Sequence, residues 1–192
     1  MPNHCQNYLV LGHKDSREIG RAKLAILEDN FFQEFHPCPK GLNDRKLYLY
    51  SKENAAEEDR ARQAAYDTYG YADGNEWRRV NWGTKWDAYD IEIVSERYDT
   101  DVAELTVVFD TAWAPPTEFY NELVEQGFEV DAMYNEFGCG FCGHYTDGTE
   151  YYIEYTNDKR DEIPAEIDEQ FGIIETLEMW SEDEEEEETS EE

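Results

Sequence analysis

Positive charge is what this chain has least of. Sixteen Lys and Arg stand against 47 Asp and Glu, so the formal net charge at pH 7 is −31 over 192 residues. A surface this lopsided repels nucleic acid and anionic membrane, and it excludes a nucleic-acid binder of the ordinary basic kind. Long apolar runs are missing as well, since no stretch approaches the roughly 18 to 20 apolar residues of a membrane span. Met1 to Asn7 is polar and holds no apolar signal core, which gives the expectation of a chain that stays in the cytoplasm. There are four cysteines, Cys5, Cys38, Cys139 and Cys142. So few, so scattered and without a signal segment, they argue for reduced thiols rather than a disulfide framework. Catalytic signatures are lacking too. No G-x-S-x-G, H-E-x-x-H or Gly-rich phosphate loop occurs, so the expectation is a protein that is not an enzyme and needs no cofactor.

What is present is an unusual mixture of acid and aromatic. Fourteen Tyr, nine Phe and five Trp supply ample core. The acids fall into two populations. Glu182 to Glu192 holds nine acids and no base, and taking those nine from −31 leaves −22 on the first 181 residues. Self-repulsion and missing apolar surface predict a disordered acidic tail over residues 181–192, because nothing offsets the ordering entropy. The rest, residues 1–180, has the size of a single domain. Its surplus charge is compatible with mimicry of nucleic acid, with a halophile-like surface, or with an acidic domain that has no dedicated target.

Periodicity predicts the elements. Tyr8 to Gly12 reads as a first strand. Ser16 to Phe32 reads as a helix capped by Asp15 or Ser16. The prolines of Phe35-His36-Pro37-Cys38-Pro39 impose an extended path. Leu47 to Tyr50 reads as a short strand or helix entry, and Ala55 to Tyr69 as an exposed helix stopped by Gly70. Tyr89 to Ser95 and Val102 to Phe109 read as strands joined around Asp99 to Asp101. Pro115-Pro116 opens a helix that Gly127 ends. Phe128 to Phe137 is a further strand, Tyr145 to Tyr155 holds one or two around Asp147-Gly148, and Ile163 to Trp180 contains an acidic helix. The order strand, helix, paired strands, helix, strand predicts an α+β fold of ferredoxin-like plan: an antiparallel sheet with helices on one face. A long insertion, about residues 31–87, follows the first helix and is the natural place for something specific to this protein.

Four segments carry a resemblance. Met1-Pro2-Asn3-His4, the Phe35–Pro39 segment, Asn81-Trp82-Gly83-Thr84-Lys85-Trp86-Asp87-Ala88 and Phe109-Asp110-Thr111-Ala112-Trp113-Ala114-Pro115-Pro116, in that order over residues 1–145, resemble the YubB-type ferredoxin-like proteins of phages and conjugative plasmids. The resemblance implies the fold and a mobile-element origin, and no reaction. The acidic segment after Tyr155 lies outside it.

Three constellations are candidates for function. Asn81, Trp82, Lys85, Trp86 and Asp87, with Trp113, could line a shallow pocket in which indole faces stack and Lys85 reaches an anion. The same residues equally suit a structural turn, with the Trp rings capping the core, Gly83 supplying an unusual backbone angle and Asp87 capping a strand entry. Cys139-Gly140-Phe141-Cys142 is the one paired-thiol spacing, and Cys5, Cys38, His4, His36 or His144 would have to converge on it to hold Zn²⁺. Small residues packed where two strands approach explain it as well.

The third constellation is the acidic body. Glu118, Glu122 and Glu125 fall at i, i+4 and i+7, three carboxylates on one helix face, where like charges cost a few tenths of a kcal/mol each. Glu57, Glu58 and Asp59; Glu129 and Asp131; and Asp158, Asp161, Glu162, Glu166, Asp168 and Glu169 extend the set. Duplex DNA carries about one negative charge per 1.7 Å of axis, and a folded acidic surface can present a comparable line of charge. The resulting expectation is a non-enzymatic nucleic-acid mimic or inhibitor that binds the basic nucleic-acid-binding surface of a host defence or DNA-processing protein, with no direct nucleic-acid or membrane partner. The alternative is a small-ligand or metal-binding module using the 81–88 aromatics or the Cys139/Cys142 pair.

Overall fold

Period-two alternation builds the sheet. The computed structural model describes residues 3–43, 55–98 and 101–190, with side chains to Ser181. Within them, β1 (His4–His13), β2 (Tyr89–Tyr98), β3 (Ala103–Ala112), β4 (Glu129–Glu136), β5 (Phe141–Thr146) and β6 (Thr149–Glu154) form one antiparallel sheet in the order β2-β3-β1-β4-β5-β6. Leu9 and Leu11 of β1, Leu105, Val107 and Phe109 of β3, and Val130 and Ala132 of β4 all point to one face and join a single buried cluster. Their neighbours Tyr8, Val10, Val108 and Met133 point to the other, as strand geometry requires.

The first face is covered by α1 (Ser16–Leu27), α2 (Phe31–Phe35) and α6 (Thr117–Glu125), with α3 (Lys40–Asn43) and α5 (Gly74–Asn81) beside them. Asp15 caps α1, its carboxylate accepting from Arg17 N at 3.0 Å. The sequence suggested one helix from Ser16 to Phe32, but the chain breaks where Asp29 takes a φ of +52°. Apart from glycine, only short polar residues enter that left-handed region readily. The break lets α2 turn in and bury Phe31, Phe32 and Phe35 completely, and α2 then ends just ahead of Pro37 and Pro39. The 31–87 stretch is therefore no detached insertion: Leu42, Trp77 and Trp82 belong to the main core. The helix α4 (Ala55–Tyr69) buries no residue fully, touching the core only through half-buried Ala65, and it ends at Gly70 with φ +78°. Leu47 to Tyr50 lies outside the described residues.

Helices on one face describe α1, α2 and α6 but not the C-terminal segment. After a 3-10 turn (Asn157–Glu162), α7 (Ala165–Phe171) and α8 (Ile173–Ser190) cross to the reverse face. Ile163, Ile167, Ile173 and Leu177 pack there on Cys142 and Tyr155, with Met133 and Ile153 alongside. These strands present apolar residues on both faces, and helices must cover each. Gly172 takes φ +63° between the two helices, and Asp168 accepts from Ile174 N at 2.8 Å to start α8. The backbone then continues as helix to Ser190, where composition alone suggested disorder after residue 180. Glu is a good helix former, and a helix already nucleated and packed at Ile173 and Leu177 propagates at low cost.

Two outcomes follow. Ile167→Ala, which empties the centre of the reverse-face cluster, should lower unfolding stability by about 3 kcal/mol in urea titrations. The hydrogen bonds from Arg17 to Asp15 lower its carboxyl to about 2. That contribution is fully present above the ordinary carboxyl range near 3.9 and lost as pH falls toward 2. The Tm difference between Asp15→Ala and the natural chain should therefore close across that window.

Candidate binding surfaces

The aromatic segment after α5 is mostly internal. Trp82 is 2% exposed, packs edge-on to Phe32 and Trp77, and donates from Nε1 to the His36 carbonyl at 2.8 Å. Gly83, at φ +82°, brings the chain so close to Pro115 O that a Cβ would sit 3.0 Å from it. Thr84 Oγ1 donates to Ala112 O at 3.0 Å, tying the segment to the end of β3. Asp87 reaches across to the start of α2, where its carboxylate accepts from Phe32 N at 2.8 Å, Gln33 N at 3.0 Å and Ala88 N at 2.9 Å. Burial pushes its carboxyl up despite those three donors. Asn81 is likewise committed, donating to Trp77 O at 2.8 Å. Of the candidate pocket residues, Trp82, Asp87 and Asn81 thus serve the fold.

Lys85, Trp86 and Trp113 do face outward. Trp86 is 39% and Trp113 48% exposed, and the Lys85 ammonium stands 4.6 Å from the Trp86 ring centre. A hollow of about 320 Å³ opens beside Trp113, floored by Ala112 and Ala114 and edged by Lys85 and Arg79. Arg79 carries no signal in the sequence, because one of two adjacent Arg at a helix end reads as an ordinary exposed base.

The paired cysteines do not share surroundings. Cys142 is buried against Tyr155 and Ile163, where desolvation pushes its thiol up to about 11. Cys139 is exposed, and its thiol is held up by its hydrogen bond to the Glu136 carboxylate. Neither favours the thiolate that a metal needs. Among the described residues no group of three or more His, Cys, Asp or Glu is placed to hold a metal ion.

The acids separate into two layers. Glu118 and Glu125 are exposed on α6, while Glu122 is half-buried, 2.8 Å from His36 Nδ1. The i, i+4, i+7 stripe is thus interrupted in its middle by the contact with His36. Glu129, Asp131 and Glu166 lie on the opposite side of the sheet. His144 is held there between Asp131 at 2.6 Å and Glu166 at 3.6 Å. Asp158, Asp161, Glu162 and Glu169 are exposed nearby, whereas Asp168 is spent on capping α8.

Register adds an acid that sequence spacing could not. Gly12 is paired with Glu104 on β3 and with Glu129 on β4, so both carboxylates flank a missing side chain. Glu104, Glu129, Asp131 and Asp147 surround a hollow of about 230 Å³ there. Beside it, Tyr8, Val10 and Val108 form a half-buried apolar strip on β1 and β3, bordered farther along by Asp110. Burial raises the carboxyl of Asp110. The helices of the reverse face pack chiefly on β4 and β5, and the end of α7, Gln170 and Phe171, shares a hollow with Gln6, Val108 and Asp110, so this strip stays half-buried.

No family model matches the chain, and no curated protein matches it. A crystal structure that it resembles distantly is that of a protein api92 from Yersinia pseudotuberculosis, of the DUF1281 family. Identity is 11% and the TM-score 0.42, over 81% of this chain and 99% of that one. A likeness so remote carries no argument about function.

The cap on α2 is directly testable. Asp87→Ala should cost about 2 kcal/mol, since it strips acceptors from partly buried amides. Asp87→Asn, which keeps one acceptor oxygen, should recover most of that loss in the same denaturation series.

Proposed function

We propose that this chain is a non-enzymatic, strongly acidic protein of phage or plasmid type, built on a ferredoxin-like plan. In this reading it binds the basic nucleic-acid-binding surface of a host defence or DNA-processing protein and acts as a nucleic-acid mimic or inhibitor. The order β2-β3-β1-β4, with α1 and α6 as the crossing helices, supports the plan. The segments that resemble YubB-type proteins support the origin.

One observation carries the reading: the half-buried part of the reverse sheet face, where an apolar strip of Tyr8, Val10 and Val108 runs beside Glu104, Glu129 and Asp131. An apolar centre with a charged rim is the anatomy of a protein-binding patch. The sign of the rim selects a basic partner. Arg and Lys suit it twice over, because their aliphatic stems can lie on the strip while the cationic heads reach the rim. A net charge of −31 would speed the encounter over long range and repel nucleic acid itself. The acids of α6 belong to the opposite layer and are peripheral to this face.

The test is a pull-down from host lysate at about 100 mM salt, within the range where screening still permits electrostatic association. The natural chain is compared with Glu104→Gln/Glu129→Gln/Asp131→Asn and, separately, with Glu118→Gln/Glu125→Gln. The expected result is a DNA- or RNA-binding protein that elutes between about 50 and 200 mM salt, loses its own nucleic acid to the chain, and is weakened about tenfold by the sheet-face variant only. Capture that survives the sheet-face triple, or a captured protein that keeps its nucleic acid, would sink the reading.

A further inference from the structure

One hollow runs against the charge of the whole molecule. The cavity beside Trp113 is edged by Arg79 and Lys85 and contains no carboxylate, in a chain of 47 acids and 16 bases. Its counterparts are different: the hollow at Gly12 carries four carboxylates, and those beside α7 and along α1 carry two each. Neither Arg79 nor Lys85 is in an ion pair among the described residues, although the chain has acids to spare. Arg78, one residue away, is fully engaged with Lys85 O, Asn43 and Asn75. Two cations held apart from carboxylates at one spot suit a visiting anion.

The apolar part of the hollow is equally particular. Trp113 adopts φ +74°, a backbone region that costs a bulky side chain on the order of 1 kcal/mol or more and that glycine would occupy freely. Despite that cost its ring is not used in the core, since it remains 48% exposed. The strained corner is fixed from both sides: Trp113 N donates to Asn3 O at 3.0 Å, and Thr84 holds Ala112 O. Trp86 supports Lys85 from the rim. The other residues lining the hollow beside the indole are small: Gly83, Thr84, Ala112 and Ala114.

From these features we infer that the hollow binds a free mononucleotide, with its base stacked on Trp113 and its phosphate between Arg79 and Lys85. Base stacking on an indole needs only an accessible ring face. Arg offers a planar fork to phosphate oxygens and Lys a mobile point charge. The volume, about 320 Å³, falls at the low end of small-molecule sites and suits one nucleotide rather than several. A polynucleotide carries a charge at every residue and would be repelled by the surrounding acidic body, whereas a mononucleotide brings only its terminal phosphate. This inference is independent of the docking face on the reverse side of the sheet, so either stands without the other.

The experiment uses the full chain and follows tryptophan fluorescence and calorimetric heat on titration with the 5′-monophosphates of adenosine, guanosine, cytidine and uridine. Adenosine, inorganic phosphate and a 5′-phosphorylated oligodeoxythymidine serve as comparisons. A monophosphate should quench fluorescence and bind at least tenfold more tightly than the nucleoside or phosphate alone. Arg79→Met and Lys85→Met should each weaken it about five- to tenfold, as expected for partly exposed charge-assisted contacts. Trp113→Gly should remove the quench with Tm unchanged or raised, which separates lost stacking from misfolding. No binding of any monophosphate up to about 5 mM, a limit that includes even weak sites, would overturn the inference. So would affinity unaffected in the Arg79→Met/Lys85→Met double variant, or tighter binding of the oligonucleotide than of every monophosphate.

Discussion

Phe32 is the point on which the helical layer turns. Its ring lies tilted against Phe119 of α6 with centroids 4.2 Å apart, and meets Phe109 of the sheet and Trp82 edge-on at 6.0 and 5.6 Å. Its backbone N–H is held by Asp87. One residue thus joins the sheet, the two helices above it and the segment leading into β2. Aromatic contacts of this kind fix angles as well as burying area, because offset and edge-on arrangements are preferred over others. The corner at Gly83 and the exposed rings of Trp86 and Trp113 take their positions from this joint.

A strongly acidic chain can fold only if its core is insulated from its charge. Here insulation is achieved by placing carboxylates on edges, caps and one open half of the sheet. Where acids do enter the interior they are occupied by backbone amides. Glu136, 1% exposed, accepts from Gly138 N at 2.8 Å and Cys139 N at 2.6 Å, and Asp87 accepts from three amides. Amide donors compensate a buried carboxylate without a counter-cation, which matters in a protein short of cations. At the surface the few bases are shared among the acids, as Lys23 is with Glu96, Arg97 with Glu104 and Arg160 with Glu178. On the opposite side, the hollow at Trp113 collects two of the scarce bases. The surface is therefore divided by charge.

The strands, the caps and most helix stops were legible because they are local. Asp15, Gly70, Gly127 and the Asp147-Gly148 turn act within a few residues, and period-two alternation in β1 and β3 needs no partner to be seen. Two readings went differently for one reason. The break at Asp29 and the crossing of α7 to the reverse face are both set by what lies across the fold. Phe31 and Phe32 gain more by reaching Phe119 than by extending α1, and Met133 and Cys142 need a cover that no local pattern announces. The helical continuation to Ser190 belongs with these, since it depends on a first turn anchored by Ile173 and Leu177.

The candidate sites divide along the same line. Composition by itself determined the net charge of −31, because net charge survives any arrangement of the chain. Sequence likewise marked Trp82, Lys85, Trp86 and Trp113 as a group, without deciding between core and surface. Only the tertiary structure decided that Trp82 is buried while Trp113 stands open, and that Glu122 is drawn against His36 while Glu104 and Glu129 flank Gly12. The physical reason is that strand register and helix docking bring together residues some hundred positions apart. Burial and charge pairing are properties of those neighbours, whereas net charge and local turn chemistry are properties of the residues themselves.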